Sequence, residues 1–245
     1  MPVWNWQLEK NTINETNWIS SLHPRIRVGS ETIHPSAHIR NLGAVFDDTL
    51  SMTTHVNTIT KGIYYHLRRI KTIRSHLDHD TCAKVINATI TSRLDFNNSL
   101  LVGLPNKTLS KLQVAQNCSA RLLKGVRRRD HITPVLKELH WLPVAERVMF
   151  KMLSMVFKAL SVPSAPAYLR EMLTLYRQSR QLRSRNDTSR LTTTRTRNSY
   201  GERSFSCQVS RAWNLLPADI RAMPDVIHFK RALKTHLFLH VFDMW

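Results

Sequence analysis

The fold is decided by residues 51–77, which read SMTTHVNTITKGIYYHLRRIKTIRSHL. The apolar residues of this stretch recur three, four or seven positions apart and so form one stripe along a helix. They are Val56, Ile59, Ile63, Leu67, Ile70 and Leu77. Four basic residues lie mostly off the stripe, namely Arg68, Arg69, Lys71 and Arg74. The stretch predicts a long amphipathic helix at the start of a helical domain over residues 51–176.

Further helices are predicted by the same spacing and by capping residues. Gly125 offers a C-cap to one helix, Asp78 or Asp80 an N-cap to another, and Pro143 precedes a third. The predicted bounds are 81–94, 107–124, about 134–139, 144–160, about 167–173, 202–215 and 225–242. The last two form a C-terminal helical region over residues 201–245. An Arg-, Ser- and Thr-rich linker over residues 177–200, nearly free of core residues, separates it from the helical domain.

The N-terminal end has a different pattern. Residues 1–24 are polar, and we expect them to be poorly ordered. Alternating residues flank Gly29-Ser30 and predict a β-hairpin with a two-residue loop. The predicted strands are 25–28, 31–33 and, as a third, 39–46. The predicted fold class is therefore mainly α, with a small antiparallel β piece of a hairpin or three strands over residues 25–50.

Charge is the strongest signal in the composition. The chain carries 36 Lys and Arg against 17 Asp and Glu, a formal net charge of +19. Residues 1–50 hold 4 basic and 5 acidic side chains, whereas residues 51–160 hold 18 and 6. The excess therefore begins with the helical domain. A balance this basic attracts polyanions, with nucleic acid first and an anionic membrane second, and a merely soluble basic surface is the alternative.

Cysteine usage and hydropathy indicate an intracellular protein. The 3 cysteines, Cys82, Cys118 and Cys207, are far apart and form no C-x-x-C pair. This pattern supports neither a zinc ribbon nor a disulfide framework. The first ten residues lack the pattern of a signal peptide, and no apolar run approaches transmembrane length. We expect neither secretion nor a membrane partner.

Three basic stretches are candidates for contact with nucleic acid. The densest is Arg127-Arg128-Arg129 beside Lys124, and arginine suits phosphate because its fork donates two parallel hydrogen bonds. The second is the face with Arg68, Arg69, Lys71 and Arg74, which has Tyr64 and Tyr65 nearby for stacking. The third is the linker, with Arg183 and Arg185, which would bind through counterion release. The alternative for each stretch is a solvated surface.

No catalytic residue is predicted. Asp47-Asp48 follows Phe46 directly, but two-metal catalysis needs a further carboxylate on a separate strand, which residues 1–46 lack. We expect these aspartates to end a strand and cap the helix that starts near Ser51. The 12 His form no metal-ligand pattern, and neither a nucleophile motif nor a Gly-rich phosphate loop occurs. No metal, cofactor or small-molecule substrate is expected.

Several long motifs occur in order along the chain. They read IRNLGAVFD at 39–47, SRLD at 92–95, NSLL at 98–101, GLP at 103–105, HITPVL at 131–136, LHWLPV at 139–144, WNLLP at 213–217, FKR at 229–231 and LKTHLF at 233–238. This series resembles the region downstream of the catalytic palm in LINE-type (non-LTR) retrotransposon reverse transcriptases, and it spans about residues 25–242. Phe96-Asn97 replace the family's usual Tyr-Cys, and Ala44 stands where Val is common.

The resemblance implies that the helices from residue 51 onward correspond to the thumb, which holds a template–primer duplex by its backbone. Leu42-Gly43 corresponds to the primer-grip turn. The family's aromatic-x-Asp-Asp motif, earlier catalytic Asp and endonuclease have no counterpart here. We therefore expect binding of RNA, DNA or a hybrid without polymerisation, and Mg²⁺ would be required only by the complete parent enzyme.

The same resemblance implies a nuclear location, where LINE reverse transcription occurs. Two alternatives to a nucleic-acid-binding fragment stay open. One is an active RNA-directed DNA polymerase whose upstream region is missing from the gene model. The other is a relic without function.

Overall fold

The computed structural model describes residues 26–34, 36–176 and 189–242. Helices make up most of this part of the chain, and strands occur as named elements only near its N-terminal end. The predicted fold class, mainly α with a small antiparallel β piece, is confirmed. The prediction that residues 1–24 are poorly ordered falls outside the described residues.

Four short strands form two separate antiparallel hairpins. Strands β1 (Ile26–Val28) and β2 (Glu31–Ile33) pair across Gly29-Ser30 as predicted, with Val28 opposite Glu31. The single strand predicted over residues 39–46 is wrong, because β3 (His38–Asn41) and β4 (Ala44–Asp47) fold back on each other. Leu42 and Gly43 both have positive φ, 45° and 82°. Positive φ at both central residues is the geometry of a tight two-residue hairpin turn.

Helix α1 (Thr53–Ile73) is the amphipathic helix that the sequence predicts. Four members of the apolar stripe are buried, namely Val56, Ile63, Leu67 and Ile70. Ile59 is half-buried, and Leu77 lies beyond the helix, after a 3₁₀ turn over Arg74–His76. The stripe packs against helix α4 (Asn106–Lys124), which ends at Gly125 with φ 69°. Gly125 is thus the C-cap, as predicted.

The helix predicted over residues 81–94 is longer at its start and is interrupted by a π-helical turn. It consists of α2 (His79–Ile86), the π-helical turn Asn87–Thr91 and α3 (Ser92–Asp95). Asp78 is its N-cap, since its carboxylate accepts a hydrogen bond from the Thr81 amide at 3.2 Å. Three further helices follow α4 close to the predicted bounds, namely α5 (Thr133–Glu138), α6 (Val144–Ser161) and α7 (Ala167–Glu171).

Within residues 189–242 the structure has four helices, α8 (Ser199–Glu202), α9 (Phe205–Leu215), α10 (Ala218–Arg221) and α11 (Val226–Phe242). Glu202 belongs to α8 and not to the helix predicted over residues 202–215. Of the predicted linker over residues 177–200, the structure describes residues 189–200, and there Leu191 is a core residue that is 2% exposed. Asn214 accounts for this burial, because its side-chain amide accepts from the Leu191 amide at 2.9 Å and donates to the Leu191 carbonyl at 2.7 Å.

One main hydrophobic core joins α1, α4, α6, α9 and α11. At its C-terminal side the ring of Phe229 stacks on that of Phe157, with centroids 4.2 Å apart, and lies 5.8 Å from the ring of Trp213. The helices predicted for residues 201–245 therefore pack directly on α6. Among the described residues, no helix combines the length and the apolar character needed to cross a membrane.

Candidate nucleic-acid interface

A groove runs between the C-terminal halves of α1 and α4. The two helices run parallel: Lys111 Nζ is 2.9 Å from Asn57 Oδ1 near their starts, and Arg74 bonds to main-chain oxygens of α4 near their ends. The groove has a volume of about 910 Å³. We call it the α1–α4 groove. Its lining residues are Tyr64, Leu67, Arg68, Lys71, Arg74, Ser75, Cys118, Arg121, Leu122, Gly125, Val126 and Arg128.

The charge of the α1–α4 groove is entirely positive among these lining residues. Five of them are basic, and none is Asp or Glu. Arg68 and Lys71 come from α1, Arg121 from α4, and Arg128 from the turn that follows α4. The structure thereby brings together members of two basic stretches that were predicted separately, the face of α1 and the cluster after α4. It adds Arg121, which was not predicted from the sequence.

Arg74 is held by the fold on three sides. Its Nε donates to the carbonyl of Leu122 at 3.3 Å, its Nη2 to that of Leu123 at 3.2 Å, and its Nη1 to that of Leu77 at 2.8 Å. These carbonyls lie in the last turn of α4 and just after α1, where helical partners run out. Arg74 therefore links the ends of the two helices. It contributes positive charge to the groove, but its three guanidinium nitrogens already donate hydrogen bonds to main-chain carbonyls.

Arg121 lies on the face of α4 that turns towards α1. Its Nη2 donates to the main-chain oxygen of Asp130 at 3.1 Å, and its buried Nε has no hydrogen-bond partner among the described residues. The spacing of three residues before Lys124 places it in the last turn of α4, but spacing alone does not reveal which face of α4 meets α1. Packing against α1 is what makes Arg121 a groove residue.

The remaining basic residues near the end of α4 point elsewhere. Lys124 pairs with Glu138 at 2.7 Å, so its charge is compensated. Arg127 and Arg129 are exposed but do not line the groove, and the Arg127 amide donates to the Asp130 carboxylate at 3.1 Å. Of the Arg127-Arg128-Arg129 cluster, the groove therefore includes only Arg128.

Arg69 belongs to a different face of α1. Its guanidinium lies 5.3 Å from the ring centre of Tyr65, within the range of a cation–π contact. Burial lowers the pKa of His66 in the next turn, and the positive charges of Arg93 and Arg69 lower that pKa further. Arg69 and Arg93 therefore lie close to His66, and none of the three residues lines the groove.

Tyr64 is the tyrosine that faces the α1–α4 groove. Burial raises the pKa of its phenol, and the neighbouring Cys118 raises that pKa further. The phenol therefore stays neutral at physiological pH and adds no negative charge to the lining. Its ring is an uncharged surface on which a base or sugar could rest.

The Leu42-Gly43 turn lies against the two residues that depart from the family motif. Asn97 Nδ2 donates to the Leu42 carbonyl at 3.0 Å, and a Cβ added at Gly43 would come within 2.9 Å of the Phe96 ring. Leu42 itself is 85% exposed. Asn97 thus tethers the turn, which leaves the Leu42 side chain free for contact.

Asp47 ends β4, as predicted, but it does not cap α1 directly. Its carboxylate accepts hydrogen bonds from the Ser51 amide and hydroxyl and from the Thr49 hydroxyl. The N-cap of α1 is Met52, which makes no side-chain cap. Burial acts to raise the pKa of Asp47, but the bonds from Ser51 and Thr49 outweigh it and leave the pKa lowered.

Arg183 and Arg185, the linker residues predicted to contact nucleic acid, lie outside the described residues. Within the described ranges no group of three or more His, Cys, Asp or Glu is arranged to hold a metal ion. Comparison of the chain with models of protein families, with curated proteins and with solved structures found no match.

Proposed function

We propose that this chain is the C-terminal part of a LINE-type reverse transcriptase and that it binds RNA, DNA or their hybrid through the α1–α4 groove. The observation that carries the proposal is the all-positive lining of that groove, with five basic and no acidic residues. The ordered motifs of the sequence support the family, and the groove supports the activity. A nuclear location is part of the same proposal.

The charge at the helix ends explains only some of the cations at this groove. The C-terminal ends of the parallel helices α1 and α4 carry partial negative charge, which favours Lys71 and Arg121 in their last turns. This effect fades beyond the last turn. It does not explain Arg68 or Arg128, which are exposed and have no ion pair with any residue that the structure describes. Cations left unpaired in a concave site raise the local positive potential and attract a polyanion.

The groove favours the phosphate backbone over base edges. Lysine and arginine contacts to phosphate position a strand but carry no sequence information. The apolar floor of Leu67, Leu122 and Val126 offers no hydrogen bonds to bases, and Tyr64 can stack with any base. We therefore expect binding that depends on salt and not on sequence.

The test is fluorescence anisotropy with an RNA–DNA hybrid between about 50 and 200 mM salt, where phosphate contacts lose affinity steeply. A variant with Arg68→Gln, Lys71→Gln and Arg128→Gln removes three unpaired groove charges. The slope of log affinity against log salt should become shallower by about 2 to 3, because each phosphate contact contributes about 0.9.

The matched control removes three exposed lysines elsewhere with Lys84→Gln, Lys107→Gln and Lys158→Gln. These residues do not line the groove, so the control should keep nearly the wild-type slope. Equal loss in both variants would mean that overall charge, and not the groove, binds nucleic acid. Absence of binding by folded wild-type protein would refute the proposal and favour a relic.

A further inference from the structure

A second cavity, separate from the α1–α4 groove, lies between the turn after α3, the start of α6 and α11. It has a volume of about 400 Å³ and shares no lining residue with the groove. This size falls within the range of small-molecule sites, roughly 300 to 1,000 Å³. We call it the α6–α11 pocket.

Two lysines from different helices line the α6–α11 pocket. Lys151 comes from α6 and Lys234 from α11, and both are exposed. Neither forms an ion pair with a residue in the described part of the chain. Two ammonium groups at one cavity can each donate a charge-assisted hydrogen bond to the same anion.

One wall of the pocket is a rigid ion pair. Arg147 Nη1 lies 3.0 and 2.8 Å from the two carboxylate oxygens of Asp95, and Arg147 Nε donates to the Leu142 carbonyl at 3.0 Å. Asp95 therefore has its charge compensated by Arg147. The positive charge of Lys151 and Lys234 is left for a ligand.

Asn98 supplies an unmet hydrogen-bond acceptor. It is 3% exposed, it lines the pocket, and its buried Oδ1 has no partner among the described residues. A buried polar atom without a partner destabilises a fold, so such an atom at a cavity wall points to a donor that a ligand brings. The ligand should therefore carry an N–H or O–H group as well as an anion.

The rest of the lining suits a flat ring. Phe150 and Leu142 contribute apolar surface, and the imidazole of His140 lies beside them. Aromatic and aliphatic walls with few polar groups are typical of sites that bind a planar, partly apolar ligand.

We propose that the α6–α11 pocket binds a nucleoside monophosphate. Its phosphate lies between Lys151 and Lys234, its base lies against Phe150, and a base or ribose donor reaches Asn98 Oδ1. The same chemistry is present in a free mononucleotide and in the 5′-phosphorylated end of a strand. The proposal does not depend on the groove, because the two sites share no residue.

The test is isothermal titration of the purified chain with AMP, CMP, GMP and UMP. A pocket variant carries Lys151→Gln and Lys234→Gln, and a charge-matched control on the same two helices carries Lys158→Gln and Arg231→Gln. The pocket variant should bind at least about tenfold more weakly, because two charge-assisted bonds to phosphate are lost. The control should bind as the wild type does.

A second variant, Asn98→Ala, keeps the test independent of charge. It should weaken the binding of all four mononucleotides but leave the affinity for inorganic phosphate unchanged, with retained folding checked by circular dichroism. Titration with a 5′-phosphorylated and a 5′-hydroxyl dinucleotide distinguishes the two sources. If only the phosphorylated form depends on Lys151 and Lys234, strand ends are ligands, and if neither dinucleotide does, the ligand is a free mononucleotide.

Wild-type protein that binds none of the four mononucleotides at about 1 mM, the weak end of measurable affinity, would overturn the proposal. So would equal binding by the pocket variant and the control. The groove variant Arg68→Gln, Lys71→Gln, Arg128→Gln should keep mononucleotide binding, so failure of one site is distinguishable from failure of the other.

Discussion

At the centre of the C-terminal helices, Phe229 packs between Phe157 and Trp213, whereas along the α1–α4 groove five cations line an open surface without a carboxylate. The first region contains the motif residues Trp213, Asn214 and Phe229 that carry the family resemblance. The groove cations lie outside every motif that carries it. The motifs therefore cover the core and part of the α6–α11 pocket, which Asn98, His140 and Lys234 line, but not the groove cations.

The LHWLPV motif at residues 139–144 also contributes to the packing of the core. The Leu142 carbonyl accepts a hydrogen bond from Gln116 Nε2 at 2.8 Å, and the Val144 amide donates to Gln113 Oε1 at 2.8 Å. These bonds fasten the loop before α6 to α4. The motif thus fastens a helix of the core to α4, and two of its residues, His140 and Leu142, also line the α6–α11 pocket.

The largest loss of folding stability should follow from creating a cavity in the aromatic core. Phe229→Ala removes a ring with no exposed surface, so it should lower the free energy of unfolding by about 3 to 5 kcal/mol. Urea denaturation followed by circular dichroism measures the change. A loss below about 1 kcal/mol, the range of a tolerated surface substitution, would show that α11 is not part of the main core.

A smaller loss of folding stability is expected from substitution of Asn214, a motif residue that forms two hydrogen bonds with the main chain of Leu191. Asn214→Ala removes both bonds to Leu191 and leaves buried main-chain groups unpaired, which should cost about 1 to 3 kcal/mol. Urea denaturation applies again, and hydrogen exchange at the Leu191 amide should accelerate. Unchanged protection of that amide would contradict the role assigned to Asn214.

His55 lies outside the motifs and forms a partly buried hydrogen bond. Its Nδ1 accepts from the Val45 amide at 3.3 Å, and burial lowers its pKa below the usual 6.5. Because the unfolded chain takes up a proton before the folded chain does, this contribution to stability is complete above about pH 6.5 and is lost as pH falls towards the folded pKa.

Acidification should therefore loosen the β3–β4 hairpin, and NMR or hydrogen exchange at the Val45 amide measures this between about pH 7.5 and 5, around the usual histidine pKa. The variant His55→Asn keeps an acceptor near the position of Nδ1 but does not titrate. Its hairpin should respond less to pH. An equal response in both proteins would mean that other groups cause it.

The smallest change in stability is expected at the groove. Arg68→Gln, Lys71→Gln and Arg128→Gln alter exposed side chains that have no ion pair with a described residue, so each should change the free energy of unfolding by no more than about 0.5 kcal/mol. Urea denaturation of the triple variant checks this. A large loss of folding stability would mean that these cations stabilise the fold. The contrast between the groove and the core around Phe229 would then not hold.

Several structural features follow directly from local sequence. The stripe of α1, the Asp78 N-cap, the Gly125 C-cap and the Gly29-Ser30 hairpin depend on neighbours within a few residues. The β3–β4 hairpin was predicted as a single strand, although Leu42-Gly43 lies at its centre. The apolar residues on both sides of the turn resemble one continuous strand, and the positive φ of both Leu42 and Gly43 separates the two strands.

The candidate sites depend on contacts between distant parts of the chain. The sequence by itself determined that the protein is mainly helical, that it is strongly basic from residue 51 onward, and that Gly125 ends a helix, because periodicity, charge and a glycine C-cap are local properties. Only the tertiary structure decided that Arg121 and Arg128 meet Arg68 and Lys71, that Arg74 and Lys124 are held by partners, and that Lys151 and Lys234 share a cavity. The side chains that share a surface are set by which faces of the helices pack together, and that packing minimises the exposure of apolar surface over the whole chain.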